Sequence, residues 1–427
     1  MLDHKFSDLH SDRALKSHRS AFTFITEQLA ARDVDAETVL AQLAKFEVAV
    51  PSWALGTGGT RFGRFQGEGE PRNLFEKIED ISVIQQLTRS TPRVSLHVPW
   101  DEPDDVQGLL DFALEMDLGF DAVNSNSFQD QANQAFSYKF GSLSHTDVSV
   151  RRQAIEHNLH VIELGEKLGS KAITIWLADG SNYPGQSHLR RSFERTLDSL
   201  KDIYRALPQD WQLFTEHKPY EPAFYSTVVQ DWGSSLMLAQ GLGDRASCLV
   251  DLGHHLPNCN IEQIVARLIT AGKLGGFHFN DSKYGDDDLT TGSIHPYQLF
   301  LVFNELTDAG YEFGDSFQPA YMIDQSHNLK DPIEALLQSV MALQIAYTKA
   351  LLVDRKALEA YQTSNDVLMA EETLKQAFET DVSALVAEMR LRAGGALHPI
   401  QTFRDSKYRA DKASARKALA YVPPQSL

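Results

Sequence analysis

The chain has 427 residues, 42% hydrophobic and 23% charged, a globular balance that excludes a disordered or collagen-like polymer and is long enough for a large buried core. Its formal net charge of −18 repels a phosphate backbone and argues against nucleic acid as a partner. With only Cys248 and Cys259 there is no disulfide framework, and no apolar run is long enough to span a bilayer.

The opening Met1-Leu2-Asp3-His4-Lys5 carries charge and no apolar signal core, so a cytoplasmic protein without membrane contact is expected. Residues 1–45 read as helices packed outside the core, with apolar side chains at Phe22, Phe24, Ile25 and Leu29 and again at Val39, Leu40, Leu43 and Ala44, a one-faced spacing. A first strand over 48–53 leads into the glycine-rich segment 56–62. That segment lacks the Gly-Lys-Ser/Thr ending of a phosphate loop and the dinucleotide spacing, and reads as a flexible loop on the substrate side.

Strand and helix then alternate: helix 74–87, strand 94–100, helix 106–116, strand 120–124, helix 150–168, strand 172–176 and helix 189–207. Four further strands follow, separated by helical stretches around 227–240, 261–271 and 297–308. Eight strand–helix units predict an α/β fold, a closed (β/α)8 TIM barrel with its active site at the C-terminal ends of the strands. Beyond Asp331 the pattern is wholly helical and rich in Ala, Leu, Glu and Lys. The chain thus divides into N-terminal helices (1–45), a catalytic barrel (46–345) and a C-terminal helical arm (346–427). The arm reads as a cover for another subunit, with a cap on its own barrel as the alternative.

The last four strands each begin apolar and close in a residue that can hold a divalent metal: Glu216, Asp251, His278 and Asp324. That is how a buried parallel strand looks where its end reaches an active site. Three carboxylates and one imidazole suit Mn²⁺, Mg²⁺ or Co²⁺ better than a thiolate-seeking ion. A second set lies nearby: His254, three residues beyond Asp251, and Asp286 and Asp288, which point the same way in an extended loop while Asp287 points away. Two ions with Glu216 between them are therefore expected.

The plainer readings are a solvated acidic loop for 286–288 and a buried ion-pair network around Lys218 or Lys283 for the strand ends. Neither needs two histidines at neighbouring strand ends. His217, His255 and His295 read as supporting residues. Lys218, on the same side of its strand as Glu216, is placed to stabilise charge on a substrate oxygen. Trp53, Phe62, Trp100 and Trp176 fall at or just after strands, where flat apolar walls suit the C–H faces of a sugar. His97 at the same rim is a donor to a hydroxyl.

Together, 216–218, 250–255, 276–288 and 323–325 resemble L-rhamnose isomerase, in the broad-specificity bacterial form that also interconverts D-allose and D-allulose and belongs to the xylose isomerase-like superfamily. The resemblance runs over nearly the whole chain. It implies a cytoplasmic homotetramer with two divalent ions per subunit, usually Mn²⁺. Glu216, Asp251, His278 and Asp324 would hold a structural ion, and His254, Asp286 and Asp288 a catalytic one. It also implies an aldose–ketose isomerisation by hydride shift between C1 and C2, with Lys218 stabilising oxygen charge, Asp324 or His97 assisting ring opening, and Phe128, of this or a neighbouring subunit, helping close the site. The competing readings are an enediol-type isomerase or epimerase, a two-metal barrel phosphoesterase, and a metal-binding barrel without catalysis.

Overall fold

The computed structural model describes residues 11–56, 65, 67–132, 134–326 and 329–416. Eight parallel strand positions run in chain order: β1 (Val50–Pro51), β2 (Arg93–Ser95, resuming as His97–Val98), β3 (Gly119–Phe120, resuming as Val123–Ser125), β4 (Ala172–Trp176), β5 (Gln212–Glu216), β6 (Ala246–Asp251), β7 (Leu274–Phe279) and β8 (Ala320–Ile323). Each pairs in parallel with the next. The ring closes where Ala49 bridges Met322: Ala49 N donates to Tyr321 O at 2.8 Å and Ile323 N to Ala49 O at 3.0 Å. The expected barrel is the observed one.

Burial explains why these segments are strands. Residues of β4 to β7 such as Ile173, Leu213, Leu249, Val250 and Phe277 are shielded from solvent, as fits a sheet enclosed by helices on its outer face. Register then sets the strand ends level. Trp176 lies opposite Glu216, Glu216 opposite Leu249, and Asp251 opposite His278. Polar residues at neighbouring strand ends therefore meet at one rim.

The outer helices include α1 (Asp12–Ala30), α2 (Ala36–Leu43), α3 (Leu74–Thr88), α4 (Val106–Glu115), α5 (Val148–Leu168), α6 (Leu189–Ala206), α7 (Trp232–Leu242), α8 (Ile261–Thr270) and α9 (Pro296–Phe313). Part of the negative charge has a local use. Asp35, Asp105, Asp147, Asp231 and Asp331 accept from the first-turn N–H groups of their helices, each cap contributing about 1 kcal/mol.

The sequence pattern and the fold part at several places, among them the strand expected over 120–124, which breaks at Asp121 and Ala122, and the strand expected over 48–53, which gives way to a 3-10 turn at Ser52–Ala54. The helix expected around 227–240 starts only at Trp232, because Ser226–Thr227 pairs antiparallel with Gly180–Ser181 over the barrel mouth. The strand expected over 94–100 is interrupted at Leu96 and ends at Val98. The division at 345 falls inside one continuous helix, α10 (Pro332–Leu351), which packs on α9 and α3.

The remaining helices are α11 (Arg355–Ser364), α12 (Val367–Glu379), α13 (Ser383–Arg392), α14 (Pro399–Asp405) and α15 (Tyr408–Ala415). Within the chain α13 packs on α1 and α2, and α14 on α10 and α3. Arg416 is buried against α3, with Nη2 2.7 Å from Asp80 Oδ1 and 2.8 Å from Glu79 Oε2. Among the described residues no single helix is long and apolar enough to cross a membrane.

Candidate active site

Glu216 and Asp251 are the last residues of β5 and β6, His278 is the penultimate residue of β7, and Asp324 follows β8. The level register brings them together. His278 Nδ1 is 3.1 Å from Glu216 Oε1, 3.5 Å from Asp324 Oδ2 and 3.8 Å from Asp251 Oδ2. One ligand atom from each of the four lies within 4.8 Å of the others.

Asp251 Oδ1 accepts from Gly253 N at 2.7 Å and Asn280 Nδ2 at 2.9 Å. Its Oδ2 is buried without a hydrogen-bond partner, as is His278 Nε2. Buried polar atoms of this kind demand explanation, and an oxygen-rich set converging on one point fits a hard divalent cation. No ion is needed to see the strain electrostatically. Burial pushes the Asp251 carboxyl up to about 7. Burial opposes charge on His278 too, yet Glu216 beside it carries the ring up to about 9. Burial likewise opposes ionisation of Glu216, but His278 and His254 hold it well below the ordinary carboxylate range. The cluster retains protons where a cation would replace them.

A second set adjoins the first. Asp251, His254 and Asp286 also offer atoms within 4.8 Å of one another. His254 Nδ1 lies 3.3 Å from Glu216 Oε1 and its Nε2 3.3 Å from Asp286 Oδ2. Glu216 touches both histidines, and Asp251 belongs to both sets. Asp287 Oδ2 turns away and accepts from Lys283 N at 2.5 Å and Tyr284 N at 2.7 Å, while Asp286 and Asp288 both line the cavity. Asp288 stands apart from the close set, with its Oδ2 accepting from Ser326 Oγ at 2.6 Å. The loop presses closely on its neighbour: a Cβ at Gly285 would lie 1.5 Å from the Tyr220 hydroxyl.

The cavity above these groups is lined by Trp53, His97, Trp100, Phe128, Trp176 and Lys218. Lys218 is fully buried, with Nζ 2.5 Å from Asp286 Oδ2 and 4.4 Å from the Trp176 ring centre, a cation–π approach. Trp53 Nε1 donates to Asp324 Oδ1 at 2.8 Å. His97 stacks on Trp100 at 3.8 Å, and burial lowers its ring to about 3, so it is neutral. Phe128 stands edge-on to Trp176 of its own chain at 4.3 Å. Phe62 lies outside the described residues.

His217 and His255 sit together behind the site, ring centres 5.0 Å apart, and both are buried. His295 Nδ1 is 2.9 Å from Asp281 Oδ1, at the base of the acidic loop. The sequence reading passed over Asn124, Gln129, Glu221 and Ser326, which also line the cavity. Asn124, near the polar end of β3, carried the same strand-end signal as the ligands. Glu221 was marked only by Pro219 and Pro222 around it, which signal a tight turn and not a function.

No family model matches the chain. A probable sugar isomerase of Rhizobium meliloti is 61% identical over 408 residues, 95% of each chain. One of Mesorhizobium japonicum is 60% identical over 398 residues, 93% of this chain and 92% of that one. A xylose isomerase of Thermus thermophilus is 24% identical over 315 residues, 68% of this chain and 76% of its own. Among solved structures, an L-ribulose 3-epimerase is similar with a TM-score of 0.53 and 16% identity, over 72% of this chain and 98% of that one. A 3-keto-D-glucoside 4-epimerase of E. coli gives 0.51 and 13%, over 70% and 99%. The two structures share the barrel.

Proposed function

Because this chain belongs to the sugar isomerase family of the Rhizobium and Mesorhizobium proteins, within the xylose isomerase-like group, we propose that it is a divalent-metal-dependent aldose–ketose isomerase interconverting L-rhamnose and L-rhamnulose, and D-allose and D-allulose. The observation that carries this reading is the pair of adjoining ligand sets at the foot of a cavity walled by three tryptophans and Lys218. Family membership leaves the phosphoesterase reading without support.

Glu216, Asp251, His278 and Asp324 would hold one divalent ion and His254, Asp286 and Asp288 a second, Mn²⁺ first and Co²⁺ or Mg²⁺ as alternatives, and these would supply electrophilic polarisation of sugar oxygens. The protein's own residues do the rest. Trp53, Trp100 and Trp176 present apolar faces to the sugar and exclude water from it. Neutral His97 hydrogen-bonds a hydroxyl, and Asp324 takes part in proton movement when the ring opens. In the open chain, hydrogen passes with its electron pair from C2 to C1 while the O2 hydroxyl proton passes to O1. Lys218 stabilises the negative charge that develops on oxygen during that exchange. A homotetramer is part of the proposal.

A second reading, proton transfer through an enediol, is favoured by one feature: Glu221, a carboxylate in the same cavity, lies 3.4 Å from Lys218 Nζ. Solvent deuterium appearing at C1 or C2 of the product selects that path. The main reading is tested by stripping the protein with EDTA and assaying ketose from a panel of aldoses with and without Mn²⁺. Absence of metal-dependent ketose from every sugar defeats it.

A further inference from the structure

Behind the pocket wall lies a buried ionic network that the proposed chemistry does not use. Lys77 of α3 is 1% exposed and its Nζ donates to Asp101 Oδ1 at 2.7 Å. Ser52 Oγ, fully buried, donates to Asp101 Oδ2 at 2.8 Å. Both partners flank a pocket tryptophan, since Ser52 precedes Trp53 and Asp101 follows Trp100. A third tie is made by the backbone, with Asp101 N donating to His97 O at 2.8 Å.

One carboxylate therefore joins the segment after β1 to the segment after β2. These segments carry the two indoles on either side of His97, which Trp53 meets edge-on at 5.4 Å and Trp100 covers face-on at 3.8 Å. Stability alone is a poor reason for such a pair. Taking two charges out of water is costly, and apolar residues of the same volume often serve stability as well or better. What the carboxylate supplies and a leucine does not is two directed bonds at a fixed angle.

We propose that Lys77, Asp101 and Ser52 are positioning residues that set the spacing of Trp53 and Trp100, and with it the width of the slot that takes the apolar face of a monosaccharide. The inference rests on the sugar-isomerase reading of the cavity. Lys77 fixes the rotamer of Asp101; Asp101 holds Ser52; Ser52 and the His97 carbonyl tie fix the two walls. Displaced walls weaken sugar binding in ground and transition states alike, which raises KM with little effect on kcat.

Two double variants isolate the directed bond. Lys77→Met with Asp101→Leu removes both charges and the acceptor for Ser52; Lys77→Met with Asp101→Asn removes the same charges and keeps an acceptor. The first is expected to raise KM about tenfold, with kcat within about threefold, and to red-shift the tryptophan emission of the metal-free protein; the second stays within about threefold of the parent in KM. Ser52→Ala, which leaves the ion pair in place, reproduces the KM rise and decides the matter if either double variant fails to fold. Equal KM for both folded double variants, or an unchanged KM for Ser52→Ala, overturns the proposal. Should the parent convert no sugar, the isomerase reading falls, and the emission of the metal-free variants still decides the network: parental emission in Ser52→Ala and in the Leu double variant overturns it.

Discussion

Trp53 donates its indole hydrogen to Asp324 at 2.8 Å, so a wall of the cavity also holds the most exposed residue of the first cluster, 19% exposed against 5% or less for the other three side chains. Partners of this kind fix the rotamer of a ligating carboxylate and commonly matter about tenfold to a hundredfold in metal affinity. Trp53→Phe, which keeps the apolar wall and removes the donor, is expected to weaken Mn²⁺ binding about tenfold. Metal titration followed by calorimetry reads this directly, and unchanged affinity refutes it.

Lys218 is fully buried between Asp286 and the Trp176 ring. Lys218→Met keeps its volume and removes its charge. The expected loss in kcat is about a hundredfold or more, the usual scale for a group that stabilises developing oxygen charge. Metal content measured on the purified variant should match the parent; a variant that is inactive because it holds no metal would show Lys218 to be a positioning residue for Asp286 instead.

Proton linkage predicts opposite pH responses for metal-free stability and metal affinity. Asp251 rises from 3.8 to about 7 and His278 from 6.5 to about 9 in the folded chain. Both shifts are upward, so each contributes stability that is fully present below its unfolded value and is lost as pH rises through its folded value. EDTA-treated protein should therefore melt at progressively lower temperature from about pH 7 to about pH 9, above the range in which the buried His97 and His217, lowered to about 3, act in the opposite sense. Mn²⁺ must displace these protons, so its affinity rises over the same interval, with proton release that calorimetry in buffers of different ionisation enthalpy detects. A metal affinity independent of pH is the contrary result.

A Cβ at Gly285 would lie 1.5 Å from the Tyr220 hydroxyl and 2.8 Å from the ring carbon that bears it. Gly285→Ala must therefore displace the Tyr220 ring, whose hydroxyl accepts from Asp286 N at 3.3 Å, or shift the loop that carries Asp286. Overpacking of this kind typically costs about 1–3 kcal/mol, and kcat/KM is expected to fall about tenfold or more. Adding Tyr220→Ala restores room and should recover most of the activity; a double variant no better than Gly285→Ala counts against the explanation.

The features legible in the sequence were those with a local period. Alternation along an extended loop puts Asp286 and Asp288 on one side and Asp287 on the other; Asp286 and Asp288 line the cavity while Asp287 accepts from Lys283 N and Tyr284 N. Apolar runs closing in polar residues gave the four first-cluster residues their places. What escaped depends on chain segments meeting far from one another in sequence. Thr227 reads as helical because nothing local announces the pairing of Ser226–Thr227 with Gly180–Ser181. Asp101 carried no signal of Lys77 or Ser52, which come from α3 and from the segment after β1. Ser326 meets Asp288 across two loops, a contact that no periodicity encodes.

The closure of the ring by Ala49 and Met322 imposes an order on the making of the protein. The first strand finds one of its neighbours early, in β2, and must wait for the other until nearly three quarters of the polypeptide has left the ribosome. Until then the edge of β1 is open, and edges of this kind invite pairing with other chains. Glu216, Asp251 and His278 likewise reach the rim before Asp324 is synthesised. The growing chain thus carries an incomplete carboxylate–histidine cluster for about a quarter of its synthesis, from Glu216 to Asp324, and its final assembly is a single late event of high sequence separation.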